Sequence, residues 1–248
     1  YTLGIVANPF GNAKLAVDVY QIYVDNRISQ LSAFREATHP GSGALVQAAS
    51  PNFGPSDAIS YLINAGDTKT EGVDVTLEGV LDTESIGSFH WTLAANYNES
   101  TLENVAPTPA VLSQFNIPLY SAASQVNLLY LAPRFKGIVG LEWSLEDWTV
   151  GVNATRYGEI RRSTTVASST QPVIFSVGDL WVVDLEVGYQ ITEQLRFGVN
   201  ANNLFDEQPP LLPEGSTALW PFQTYSYVNN GPVNAAGGFY SATLTYSW

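Results

Sequence analysis

The sequence predicts an all-β protein: part of the wall of an antiparallel transmembrane β-barrel, about nine strands and incomplete as a barrel. Three observations carry this prediction. Apolar and polar residues alternate with a period of two in segment after segment. Tight and long connections between those segments strictly alternate. The large aromatics collect beside the tight turns.

The segments follow in chain order. Leu3, Ile5 and Ala7 alternate weakly, and NPFGN at 8–12 turns the chain. Leu15, Val17 and Val19 then oppose Ala16, Asp18 and Tyr20, and a long connection follows Ile28. Val73, Val75 and Leu77 face away from Asp74, Thr76 and Glu78, and DTESIG at 82–87 makes the next tight turn. Phe89, Trp91, Leu93, Ala95 and Tyr97 oppose His90, Thr92, Ala94, Asn96 and Asn98, with a long connection after Thr101. Phe135, Val139, Leu141 and Trp143 oppose Lys136, Ile138 and Glu142. SLED at 144–147 leads into Trp148, Val150, Val152 and Ala154, set against Thr149, Gly151, Asn153 and Thr155. After the long connection beyond Ile160, Trp181, Val183, Leu185, Val187 and Tyr189 oppose Asp184, Glu186, Gly188 and Gln190. ITEQ at 191–194 precedes Leu195, Phe197, Val199 and Ala201, opposite Arg196, Gly198, Asn200 and Asn202. A last long connection follows Phe205. The final segment sets Tyr240, Ala242, Leu244, Tyr246 and Trp248 against Ser241, Thr243, Thr245 and Ser247. A period of two places every second residue on one face of a strand. No helical period of useful length is read.

The connections decide between a soluble sandwich and a membrane wall. Several structureless loops beyond ~15 residues are rare in a compact soluble domain, whereas outer-membrane barrels pair short periplasmic turns with long extracellular loops. The aromatics agree. Trp91, Trp143, Trp148, Tyr189, Tyr246 and Trp248, with Phe89 and Phe197, are expected to ring the periplasmic membrane interface. Tyr23, Tyr97, Trp181 and Tyr240 are expected to form the opposite girdle. Charged residues are only 13% of the chain, about half the ~25% of a soluble domain. An odd strand count cannot close a conventional barrel, and an open edge cannot be left in hydrocarbon. The chain is therefore expected to be part of something larger, and the absence of Met implies sequence before Tyr1. The absence of Cys excludes disulfides and cysteine metal sites. A net charge of −13 argues against nucleic acid. No apolar run approaches the ~18 residues of a membrane helix.

Several stretches resemble the C-terminal half of TonB-dependent outer-membrane receptors. FGVNANNLFDEQPP at 197–210 is similar to that family's late strand with its Asn-Asn-Leu-Phe-Asp run and prolines. AVDVYQIYVDNRI (16–28), INAGDTKTEGVDVTLEG (63–79), APRFKGIVGLEWSLEDWTVGVNATRYG (132–158) and LWVVDLEVGYQITEQLRFGV (180–199) follow in the family's order. The resemblance implies a barrel of about twenty-two strands filled by an N-terminal plug. Residues 1–248 would be its C-terminal part, with the plug and earlier strands absent. It also implies an outer-membrane location and a TonB complex that acts through that plug. The β-barrel assembly machinery is expected to recognise the last strand. The expected function is active uptake of a scarce nutrient: a ferric siderophore, a cobalamin or an oligosaccharide. The alternative is a structural or adhesive barrel that binds a partner through its long loops.

The candidate site residues fall into three groups. Trp220, Phe222, Tyr225, Tyr227, Asn229 and Asn230 mix aromatics with amides in one long loop, a combination suited to stacking on sugars or wrapping an organic chelate. Lys136, Glu142, Asp184, Glu186 and Arg196 are expected to face the lumen and the plug. Arg27, Arg35, Arg134, Arg161 and Arg162 are suited to an anionic ligand or lipopolysaccharide phosphate, alongside outer-membrane lipid. Asn202, Asn203 and Asp206 are read as structural, since Asx side chains bond nearby backbone. No cofactor is expected: His90 lacks a second ligand nearby and makes a poor metal site. No Ser-His-Asp or paired-carboxylate spacing points to an enzyme.

Overall fold

A computed structural model describes residues 1–30, 33–50, 52–54, 57–64, 66–164, 173–212, 233 and 236–248. Its elements, in chain order, are β1 (Thr2–Ala7), β2 (Ala13–Val24), β3 (Ile28–Gln30), α1 (Gly43–Ala49), β4 (Leu62–Asn64), β5 (Asp67–Thr83), β6 (Gly87–Glu103), α2 (Ala110–Ser113), α3 (Ala122–Leu129), β7 (Phe135–Leu145), β8 (Trp148–Tyr157), β9 (Ile160–Thr164), β10 (Val173–Val177), β11 (Leu180–Gln190), β12 (Leu195–Asn202) and β13 (Phe239–Tyr246). Nine of these strands form one antiparallel sheet in the order β1-β2-β5-β6-β7-β8-β11-β12-β13. They are the nine segments whose alternation is visible in the sequence. Neighbours in the sheet are also neighbours in the chain of wall strands, so the sheet is a meander. It stays open: β1 and β13 each pair on one side only.

The register gives the wall two chemically distinct faces. Leu81, Phe89, Trp143, Val150, Val187, Val199 and Ala242 lie opposite one another across successive strands. The adjacent row, on the other face, runs through His90, Glu142, Gly151, Glu186, Asn200 and Ser241. The polar face is the concave one, since His90, Glu142, Asn153, Asp184, Glu186 and Asn200 line a cleft of about 360 Å³ there. The apolar face is open: Leu93 and Val139 are 44% and 50% exposed. An apolar surface on this scale is stable only against lipid or another apolar partner.

The tight turns are stapled by aromatics. Gly87, at φ +93°, opens β6 at the end of the turn, where an added Cβ would run into the Ser144 carbonyl oxygen. Trp143 Nε1 donates to the Ile86 carbonyl across the same turn at 2.6 Å. Trp148 and Tyr189 pack with ring centroids 4.6 Å apart, and Phe10 stacks on Trp91 at 6.3 Å. Trp91 also lies across Gly79, its strand partner, filling the space a side chain would occupy. At the terminus the structure departs from expectation. The ladder stops at Tyr246, opposite Leu195, with one further bond from Ser247 N to the Gln194 carbonyl at 2.8 Å. Trp248 lies past the ladder and is fully exposed, so it does not continue the paired row as the alternation predicts.

The long connections also depart from the expected absence of helix. They hold α1, α2, α3 and the hairpins β3–β4 and β9–β10. These elements are too short to form alone, so packing sustains them. Phe34, Val46 and Ile59 from the connection after β2 share one apolar core with Leu112, Ile117, Leu119 and Tyr120 from the connection after β6. Phe34 and Val46 are fully buried. Ile160, Val177 and Leu180 form a second core with Val233, flanked by Leu212.

Candidate functional site

The concave wall and the packed loops above it are where chemistry is concentrated. On the wall, every expected lumen residue lies on the polar face, but the five are not equivalent. The Asp184 carboxylate accepts from the Asn203 amide at 2.7 Å. Arg196 donates to Thr149 Oγ1 at 2.7 Å and lies over Gly188, where an added Cβ would meet its guanidinium. Lys136 sits over the Tyr157 ring at 5.4 Å. Glu142 and Glu186 form no ion pair among the described residues and stay exposed. Of the three carboxylates expected to face the lumen, they are the two without a hydrogen bond or ion pair among the described residues. Farther toward the long loops, Asn98 donates to Asn96, and Asn96 to Asp74 and Tyr20.

The Asn-Asn-Leu-Phe-Asp run is a hydrogen-bonded knot. Asn203, at φ +53°, is buried; its side chain accepts from Glu207 N and donates to the Glu207 carbonyl. Asp206 accepts from Gly238 N at 2.7 Å, and Tyr240 Oη donates to the Leu204 carbonyl at 3.0 Å. Those bonds tie the end of β12 to the start of β13. This role is structural, as the Asx chemistry implies.

The outward face changes character above its apolar band. Gln21 donates to Glu71, which also pairs with Lys69 at 2.9 Å. Arg134 pairs with Glu99 at 2.9 Å, Arg156 with Asp179, and Arg161 with Glu159 at 3.2 Å. Arg134 and Arg161 both lie against the Tyr130 ring. Burial lowers the Arg162 pKa below its ordinary value. These charges mark where the apolar surface ends.

In the packed loops, the Gly41 and Gly43 amides donate to the Glu36 carboxylate at 2.8 and 2.6 Å, holding its pKa below the usual carboxylate range. Tyr120 Oη donates to Ser29 Oγ at 2.9 Å, joining the two connections. Between them lies a cleft of about 430 Å³, lined by Arg27, Ser29, Gln30, Tyr120, Ser124 and Asn127 among others. Of these, only Arg27 stands out in the sequence. The rest come together through a contact between connections distant in the chain, and the one local hint is Ser121, which caps α3 by accepting from Ser124 N. Arg35 is exposed. Trp220, Phe222, Tyr225, Tyr227, Asn229 and Asn230 lie outside the described residues.

Comparison with known proteins assigns the wall. Residues 1–204 match the sequence model of the TonB dependent receptor-like beta-barrel family. The chain belongs to that family. It is an outer-membrane protein whose sheet is part of a β-barrel; barrels of this kind set short turns toward the periplasm and long loops outside. It is 27% identical over 185 residues, 75% of the chain, to the ferripyoverdine receptor of Pseudomonas aeruginosa, of which it spans 20%. Among solved structures, it is similar to a pyoverdine outer membrane receptor from Pseudomonas aeruginosa PAO1 bound to pyoverdine. The TM-score is 0.59 at 16% identity, covering 100% of this chain and 29% of that one. The FrpB iron transporter from Neisseria meningitidis is likewise similar in fold, at a TM-score of 0.59 and 10% identity, over 99% of this chain and 29% of that one. The chain thus spans about a fifth to under a third of the length of these relatives.

Proposed function

We propose that this chain is the C-terminal barrel wall and part of the extracellular mouth of a receptor that takes up a ferric siderophore by TonB-coupled transport. The observation that carries the reading is the 27% identity, over 75% of the chain, to a ferripyoverdine receptor. The physical construction is consistent with it. In this reading the apolar rows from Leu81 to Ala242 meet lipid, and Trp91, Trp143, Trp148, Tyr189, Tyr246 and Trp248 sit at the periplasmic interface, where an aromatic body and a polar edge are both accommodated. The open edges of β1 and β13 meet further strands, because unpaired backbone is not tolerated in hydrocarbon. The plug fills the concave side. Glu142 and Glu186 bond its polar groups, while Lys136, Asp184 and Arg196 hold the wall in shape. Ligand is captured above by the packed loops, and force applied through the plug opens the path.

The test is equilibrium binding to the full-length receptor in detergent, read by quenching of intrinsic tryptophan fluorescence. Ferripyoverdine, iron-free pyoverdine, cyanocobalamin and maltoheptaose serve as probes. Tight binding of the ferric chelate alone is expected. Preference for cobalamin or the oligosaccharide would replace the siderophore reading, and no binding of any probe would favour an adhesive barrel.

A further inference from the structure

The Arg27 cleft is unusual in this chain on electrostatic grounds. The protein carries 23 acidic residues against 10 basic ones, yet among the described residues no carboxylate lines this cleft. The concave wall cleft, by contrast, holds Glu142, Asp184 and Glu186. In the cleft at the outward rim, Arg156 and Arg161 are already paired with Asp179 and Glu159. Arg27 meets no carboxylate among the described residues. Its Nη1 donates to Thr68 Oγ1 at 3.1 Å, and its backbone N–H donates to the Gly66 carbonyl at 2.9 Å. Thr68 is 2% exposed, so the guanidinium is anchored by a buried, neutral partner rather than by an opposing charge. Hydroxyls and amides surround it: Ser29 and Gln30 from β3, Tyr120, and Ser124 and Asn127 from α3.

We propose that this cleft is a binding site for an anionic, oxygen-rich organic group, one bearing a carboxylate, hydroxamate or catecholate beside hydroxyls or amides. The guanidinium supplies a planar fork suited to two oxygens on one group. A volume of about 430 Å³ falls in the ~300–1,000 Å³ range of small-molecule sites. The cleft walls come from two different loops, yet they are held at a fixed separation. The Phe34–Ile117 core and the Tyr120–Ser29 bond make the two loops one body. The site is therefore preorganised, and little ordering cost falls on the ligand. This inference rests on the receptor reading above and names residues that would hold its ligand.

Two measurements on the full-length receptor test it. In the first, arginines of the wild type are modified with phenylglyoxal, with citrate or ferripyoverdine present or absent. Mass spectrometry then compares Arg27 with the exposed Arg35. In the second, binding of the same probes is measured for Arg27→Gln, Arg27→Lys and Arg35→Gln. Both probes are expected to protect Arg27 at least fivefold more than Arg35. Arg27→Gln should weaken binding about tenfold or more, Arg27→Lys less, and Arg35→Gln hardly at all. Protection by citrate without ferripyoverdine binding would uphold the anion site and refute the siderophore reading. Tight ferripyoverdine binding with Arg27 unprotected and Arg27→Gln unaffected would refute the site and leave the receptor reading standing. Protection by neither probe refutes the site outright.

Discussion

Replacing Leu185 with Arg tests directly which face of the wall meets lipid. Leu185 is the middle of five outward positions on β11, between Tyr189 at the turn end and Trp181 at the loop end. Its cross-strand partners are Val152 and Ala201. Eight residue steps separate Tyr189 from Trp181. At ~3.4 Å per step and a tilt of ~40°, they raise the wall by ~21 Å, close to the ~25 Å apolar band of outer-membrane barrels. Leu185 therefore lies ~10 Å from either interface, where a lipid-facing Arg costs ~2–4 kcal/mol. Asn200→Arg is the matched control. It sits one row away on the concave face, opposite Glu186, and should change stability by no more than ~0.5 kcal/mol. Both variants of the full-length receptor would be unfolded and refolded in lipid vesicles, with tryptophan fluorescence and heat-modifiable gel mobility as readouts. Equal losses from the two substitutions, or the larger loss from Asn200→Arg, would refute the assignment of faces.

Three further outcomes are expected. Phe34→Ala should cost the packed loops ~3–5 kcal/mol, with amide protection falling together in 33–64 and 104–134 while the wall is unchanged; loss confined to one loop would show that they are not one body. Because backbone amides depress the Glu36 pKa, its contribution is fully present above the ordinary value of ~4.3 and is lost as pH falls through the lowered native value. Hydrogen exchange at Gly41–Val46 should therefore accelerate on acidification in the wild type, and be fast and pH-insensitive beyond intrinsic rates in Glu36→Gln; an unchanged wild-type profile down to acid pH would contradict this. Asn203→Ala should destabilise the β12–β13 junction by ~1–3 kcal/mol, and Asn203→Gly less, because Gly keeps the positive φ while losing the side-chain bonds. Unfolding midpoints check the order of the two.

The wall was legible because its register and its chemistry repeat together. Every second residue of β11 faces one way, so Leu185 and Val187 separate from Asp184 and Glu186 by eye, and the turns at 82–87, 144–147 and 191–194 lie between tightly paired strands. The packed loops were not legible. Phe34, Val46, Leu112 and Ile117 follow no common period, and α1, α2 and α3 are short helices sustained by a partner loop far away in sequence. The wall carboxylates illustrate an intermediate case. Their face could be read from alternation, but not that Asp184 is engaged by the Asn203 amide while Glu142 and Glu186 remain exposed. Likewise Arg27 was visible as a cation, whereas its neutral anchor Thr68 and the opposing Tyr120 are set by tertiary packing.

The central claim, that this wall and mouth belong to a TonB-coupled ferric siderophore receptor, is tested most directly by iron uptake. Cells lacking their own siderophore receptors would express the full-length parent and be given ⁵⁵Fe-loaded pyoverdine under iron limitation, with TonB present, deleted, or the proton-motive force collapsed. Saturable accumulation that requires both TonB and an energised inner membrane is the expected result. Surface binding with no energy-dependent accumulation, or accumulation that persists without TonB, would contradict the account.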